Sequence, residues 1–156
     1  MELYLAGSFL PLENDGKKYS DWRDYVIERV PRHKFIDPRK NDQSCPATFT
    51  MQDIEVVLKS MGVFHYRSIR GEAIGSAWEH GVANGASRAG RKVIPVIYVD
   101  EFPFQFPPLV ASAKRTFANL DSGIAYLNFL ESWDKEFEAI YKYLKWEQKK
   151  ISIKLI

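Results

Sequence analysis

Val93-Ile94-Pro95-Val96-Ile97-Tyr98-Val99 is the strongest strand-forming stretch of the chain. Its apolar character is nearly continuous rather than alternating, which implies burial on both faces, as in a parallel sheet covered by helices. Pro95 is an irregularity within it, because proline removes a ladder donor and usually sits at edges or bulges. Working outward, Leu3 to Ala6 is another short apolar run that stops at Gly7, a first strand followed by a turn. Lys34-Phe35-Ile36, closed by Asp37-Pro38, and Met61 to Phe64 read as two more strands, and a fifth is expected near Phe117. Between them Trp22, Tyr25, Val26 and Val30 recur at helical spacing behind Ser20, a candidate N-cap. A second helix is expected from near Thr50, with Ile54, Val57 and Leu58 inward. Gly75 to Ala89 places Ala77, Gly81, Ala83 and Gly85 in a helical frame, small enough to lie close to a sheet. The polar stretch from Arg39 to Thr48 reads as a surface loop, and Trp133 to Leu144 as an amphipathic closing helix.

Strands alternating with helices predict an α/β fold with a parallel sheet covered on both faces. In such sheets ligands bind outside the carboxyl ends of the strands, where the strand order reverses. Gly7 to Phe9, Asp37 to Gln43, Phe64 to Glu79 and the loop after Val99 therefore frame the expected site. The 156 residues suit one domain, expected over 1–145, with a basic and apolar tail at 146–156. Twenty-two Lys and Arg against 20 Asp and Glu leave a net charge of +2, too mild to indicate a nucleic-acid polymer as partner. A single cysteine, Cys45, excludes an internal disulfide framework and a cysteine-rich zinc site. No run approaches the ~18 apolar residues of a membrane span, and Met1 to Gly7 lacks the basic region of a signal peptide. A cytoplasmic protein is the expectation.

The chemistry-bearing candidates lie at the expected strand ends. Gly71-Glu72-Ala73-Ile74-Gly75-Ser76-Ala77-Trp78-Glu79-His80-Gly81 runs from a glycine-bearing loop into a helix, where free N–H groups and the positive dipole end face the cleft. A carboxylate in the first turn would be held ionised there, able to attack an anomeric carbon. The alternative is that Glu79 merely complements the dipole. His80 reads as a surface or helix-packing histidine. The glycines match neither a P-loop nor a dinucleotide fingerprint. Tyr4, with Ser8 and Phe9 beyond it, could orient that carboxylate or simply fill the core. Asp53 reads as a cleft acid or a helix-start charge, Asp37 as a turn residue. Arg67 and Arg70 flank the loop and could meet an anion.

Taken together, Leu3-Tyr4-Leu5-Ala6-Gly7-Ser8-Phe9, Trp22-Arg23, Phe35-Ile36-Asp37-Pro38-Arg39, the segment from Asp53 to Ala83, and Gly90-Arg91-Lys92-Val93-Ile94 resemble the nucleoside 2-deoxyribosyltransferase family and the related nucleotide N-glycosidases. The resemblance is carried by Met1 to Val99. It implies a flavodoxin-like three-layer sandwich with a five-stranded parallel sheet. It assigns Glu79 as nucleophile, Tyr4 as its orienting group and Asp53 as a cleft aspartate assisting at base or sugar. Gly7, Ser8, Phe9, Asp37, Gln43, Glu72, Gly75 and Ser76 are the implied substrate-binding residues, with Asn41 and Asp42 beside Gln43 in a base-contacting loop. Family members share active sites between subunits, which implies a homo-oligomer, here through Ser112 to Asn119. Two positions depart from the pattern. Ala73 stands where family transferases carry an aspartate, with Glu72 beside it as stand-in, and Met61 replaces another aspartate.

The function so implied is sugar transfer between bases: cleavage of the N-glycosidic bond of a 2′-deoxynucleoside through a covalent glutamyl intermediate, without metal or organic cofactor. The partners are a nucleoside or nucleotide and a free nucleobase. The alternatives are hydrolysis of a nucleoside or its 5′-monophosphate, with Ser8, Ser76 and Arg67 or Arg70 at the phosphate, and a catalytically silent nucleotide-binding module. Phe102, Phe104 and Phe106 could form a stacking wall, or pack in an interface or the core.

Overall fold

The computed structural model describes residues 1–14, 16–41, 45–70, 74–90, 94–102 and 107–130, without the side chains of 46–49. Its strands are β1 (Glu2–Gly7), β2 (Leu12–Asn14), β3 (Lys17–Tyr19), β4 (Lys34–Ile36), β5 (Gly62–Arg67), β6 (Val96–Asp100) and β7 (Arg115–Phe117). Its helices are α1 (Trp22–Arg29), α2 (Pro46–Lys59), α3 (Ile74–Arg88) and α4 (Pro107–Ser112), with a 3-10 turn at Pro38–Lys40 and a further helical stretch over 120–130.

Five strands pair in parallel in the order β4-β1-β5-β6-β7. That is the flavodoxin-like order, with its reversal at β1 and β5. Strand alternation divides the core into two layers. On one face Tyr4, Ala6, Val63 and Val96 pack with Val57 of α2 and Ala83 and Ala86 of α3. On the other, the Trp22 ring of α1 lies 6.2 Å from Phe64 and 5.0 Å from Tyr66. A Cβ on Gly123 would meet Val99 and Phe64 of that same face. Helices therefore cover both faces, the expected three layers. The chain divides into two compact units, Met1–Ile124 and Ala125–Ile156; the sheet belongs wholly to the first.

Several boundaries differ from the sequence reading. The run at Val93 becomes a strand only from Val96, so Pro95 precedes the ladder and its carbonyl accepts from Val63 N at 2.9 Å. The proline irregularity disappears with that shift. Asp21, not Ser20, caps α1, accepting from Arg23 N at 3.0 Å, while Ser20 turns to Asp24. α2 starts at Pro46, a favourable first helical position, so it takes up the end of the expected loop. β5 runs on to Arg67, well past Phe64. The antiparallel hairpin β2–β3 and the helix over 120–130 lie where no element was expected. The closing helix Trp133–Leu144 and the tail 146–156 fall outside the described residues.

Candidate active site

Gly7 is where the backbone leaves β1 and turns over the sheet end. A Cβ there would sit 2.6 Å from the Tyr66 carbonyl oxygen and 2.8 Å from the Trp22 ring, so only glycine fits the crossing. The turn is held by two α1 side chains. Trp22 Nε1 donates to Ser8 O at 2.9 Å, and Arg23 reaches the carbonyls of Leu5, Gly7 and Ser8. Gly7, Ser8, Phe9 and Arg23, with Pro38 after β4 and Gly75, Ser76 and Glu79 of α3, line a cleft of about 280 Å³. That is near the lower limit of small-molecule sites, roughly 300 Å³. It lies at the carboxyl ends of β1 and β4 and the start of α3, the helix that follows β5, beside the point where the strand order reverses.

Glu79 is the sixth residue of α3, and no acidic residue occupies the first turn. The dipole-complementing alternative thus loses its ground, since that effect fades beyond the first turn. A specific partner positions the carboxylate instead: Tyr4 Oη donates to Glu79 Oε1 at 2.7 Å. Tyr4 comes from the middle of β1, its ring fully buried in the core beside α2 and α3, so packing and orientation are one role. Burial, then the charge of Glu79, pushes its phenol far above the ordinary tyrosine range, with Asp53 adding to the effect. The hydroxyl stays protonated, as a donor must.

Asp53 is near enough to the Tyr4 hydroxyl for each to shift the other. It lies two turns into α2, not at the helix start, and is 5% exposed. Asn41 Nδ2 donates to its Oδ1 at 2.7 Å. Burial pushes the Asp53 carboxyl up, against the Tyr4 hydroxyl, the hydrogen bond from Asn41 and the charge of Arg23. The phenolic proton goes to Glu79, and the Tyr4 oxygen stands between that carboxylate and Asp53. The arrangement pairs a positioned, accessible carboxylate with a buried carboxyl biased toward its acid form.

Asp37 is buried, caps the 3-10 turn through Arg39 N at 3.0 Å and pairs with Arg39 at 2.6 Å. Gln43 and Glu72, like Asp42 and Ala73, lie outside the described residues. Met61 precedes β5 at the opposite end of the sheet from the cleft and is largely exposed. Arg67 pairs with Asp100 at 3.4 Å and stacks on Phe102 at 4.3 Å; Phe104 and Phe106 are not described. Ser112 is bound to its own chain, and Arg115–Phe117 is an edge strand of its own sheet. Among the described residues, no group of three or more His, Cys, Asp or Glu converges as a metal site, and no helix is long and apolar enough to cross a membrane.

Two features went unassigned from sequence. Arg23, only 1% exposed, is the cation in the cleft lining, and α1 periodicity gives no hint of it. Beneath Glu79, His65 and His80 meet at 3.0 Å between Nδ1 atoms, and His80 Nε2 lies 2.8 Å from Ser112 Oγ. His80 is thus a helix-packing residue, and burial followed by the nearby His65 lowers its pKa to about 3.

Neither a family model nor a curated protein sequence matches the chain. Solved structures do. A conserved protein from Enterococcus faecalis V583 superposes with a TM-score of 0.59 at 19% identity, over 81% of this chain and 96% of that one. A 2-deoxyribosyltransferase from Bacillus psychrosaccharolyticus gives 0.56 at 16%, over 81% and 96%. One from Leishmania mexicana gives 0.52 at 15%, over 80% and 95%. In fold, this chain stands with the 2-deoxyribosyltransferases.

Proposed function

We propose that this protein transfers 2-deoxyribose between nucleobases, with Glu79 as nucleophile. The observation that carries the reading is the Tyr4–Glu79 hydrogen bond at the cleft, with Asp53 near the same hydroxyl. The Bacillus protein of the same fold, named for this activity, is described as a biocatalyst for nucleoside synthesis, which supports the substrate class.

A Glu79 oxygen attacks C1′ of a 2′-deoxynucleoside as the C1′–N bond breaks. The bond's electron pair goes to the departing base, which takes the Asp53 proton. The transition state is oxocarbenium-like, and the Glu79 carboxylate opposes its developing charge before closing on it. A second base then attacks C1′ through nitrogen and returns its proton to Asp53. The C1′–O bond breaks, restoring Glu79 with net retention. Tyr4 holds the attacking carboxylate in one rotamer throughout, a positioning contribution. Ser8, Ser76, Gly7, Gly75 and Phe9 supply the walls, with no metal or organic cofactor in any step.

The same site hydrolyses when water replaces the second base. Ser8 and Ser76 beside Glu79 keep a 5′-monophosphate glycosidase as the second reading. Incubation with deoxynucleosides and their monophosphates, with and without a free base, separates these outcomes by chromatography. Base exchange with ping-pong kinetics is expected; release independent of acceptor means hydrolysis. Glu79→Ala should lose at least 10³-fold in rate, in line with removal of a covalent nucleophile. Turnover at the wild-type rate in that variant means that Glu79 is not the nucleophile, whereas a wild-type protein without any turnover leaves a silent binding module on this fold. A homo-oligomer with shared sites belongs to the same proposal, and light scattering of the active protein tests it.

A further inference from the structure

Arg23 leaves α1 at its second residue and runs beneath the turn that follows β1. Nε donates to Leu5 O at 3.1 Å, one Nη to Ser8 O at 3.4 Å and to Asp21 Oδ1 at 2.9 Å, and the other Nη to Gly7 O. The Phe9 and Trp22 rings lie 5.0 and 4.6 Å from the guanidinium carbon. A buried charge is costly unless bonded on all sides, and helix packing needs no cation here, so the fork has a use of its own. It binds three carbonyls, those of Leu5, Gly7 and Ser8, at the strand end from which Tyr4 extends, and it lines the cleft that holds Glu79.

We propose that Arg23 is a positioning residue of this site: its fork fixes the end of β1, and with it the place of Tyr4 and the cleft wall beside Glu79. This rests on the transfer reading above. Asp53 is faced by Tyr4 of β1, by Asn41 beyond the 3-10 turn, by Glu79 of α3 through Tyr4, and by the Arg23 charge from α1. Arg23 is itself balanced by Asp21, which Arg39 approaches at 4.0 Å. Arg23 thus opposes the burial that raises the Asp53 carboxyl, and Asp21 offsets part of the Arg23 charge.

Three variants separate geometry from charge. Arg23→Lys keeps the charge and loses the fork; Arg23→Gln loses the charge. Asp21→Asn unmasks it; the amide oxygen can still cap α1 in the place of Oδ1, while Leu10 N loses the acceptor it has in Oδ2. The readouts are kcat and KM for base exchange against pH, and a ¹³C carboxyl NMR titration of Asp53 assigned with Asp53→Asn. Arg23→Lys should lower kcat about tenfold, with KM within a factor of about two and the Asp53 midpoint unmoved. Arg23→Gln should raise the midpoint, and Asp21→Asn should lower it. Wild-type kcat in Arg23→Lys overturns the positioning role. An unmoved midpoint in Arg23→Gln, or in Asp21→Asn if the former does not fold, overturns the charge role. A wild-type protein inactive on every nucleoside and nucleotide refutes the transfer reading instead, while the titration still decides the charge.

Discussion

Tyr4 has one proton to give and two carboxylates within reach of it. Because burial and both carboxylates oppose its ionisation, the phenol cannot act as a base at ordinary pH; it can only donate. Tyr4→Phe keeps the buried ring and removes that hydroxyl, so the fold should persist while Glu79 loses its fixed rotamer. We expect kcat to fall roughly 10- to 100-fold with little change in KM, since the lost contact acts on geometry in the transition state. Unchanged kcat in a folded Tyr4→Phe protein would count against the role. His80, one residue from Glu79, makes the opposite kind of statement. Its pKa lies near 3 in the fold and near ~6.5 in an unfolded chain. Between those values the unfolded state binds a proton that the folded state refuses, so stability rises with pH there. Stability is complete above about 6.5 and is lost as pH falls toward 3. His80→Gln keeps a donor toward Ser112 without titrating. Its urea midpoint should therefore fall less than the wild type's between pH 7.5 and 5, a difference of about 2 kcal/mol at pH 5. Parallel loss in both proteins would exclude His80 as the acid-sensitive group.

At the level of elements, the turn after β1 decides whether the cleft exists. Gly7→Ala would force a methyl to 2.6 Å from a backbone oxygen that cannot yield without disturbing β5. We expect a loss of about 2 kcal/mol or more in urea unfolding, and weaker substrate binding even where the fold survives; a wild-type midpoint would show that the strand end gives way. The same turn shows what a sequence can and cannot disclose. The apolar cores of β1, β5 and β6 were legible because strands buried on both faces are written as short continuous apolar runs, and the half-buried edge strand β4 was legible from the Asp37-Pro38 stop that closes it. Their ends were not: Pro95 and Arg67 have the wrong composition for the states they adjoin, and only hydrogen-bond register settles them. The hairpin β2–β3 left a signal in Asp15-Gly16, a turn dipeptide, but its strands are too short and polar to read as such. Glu79, Tyr4 and Asp53 were found through resemblance, since no local pattern relates residues on β1, α2 and α3. Arg23 and the His65–His80 pair escaped for a related reason: buried polar groups follow their partners, and those partners are distant in sequence.

Across the whole molecule, the cleft is a junction of five chain segments joined by four polar ties. Tyr4 to Glu79 ties β1 to α3, Asn41 to Asp53 ties the exit of β4 to α2, and Arg23 ties β1 to α1. The fourth tie is Arg39, which joins the β4 exit to α1 through Asp37 and Asp24, both at 2.6 Å. Arg39 holds the Asp24 carboxyl below its usual range. Burial pushes Asp37 up, yet the bonds from Arg39 outweigh it and the net shift is downward. Both carboxylates therefore contribute stability that is present above the ordinary carboxylate range and lost as pH falls through it. Arg39→Met reverses the sign for Asp37, whose side chain is 2% exposed and would be left charged without its cation. The cost at pH 7 should be about 3 kcal/mol, the lower part of the range for breaking a buried pair, because the guanidinium is itself 27% exposed. In the variant Asp37 takes up a proton more readily than in the unfolded chain, so acid relieves it while acid weakens the wild type. The gap between the two urea curves must then narrow from pH 7 to pH 3.5. A gap of the same size at both pH values would mean that Arg39 holds the junction by packing alone.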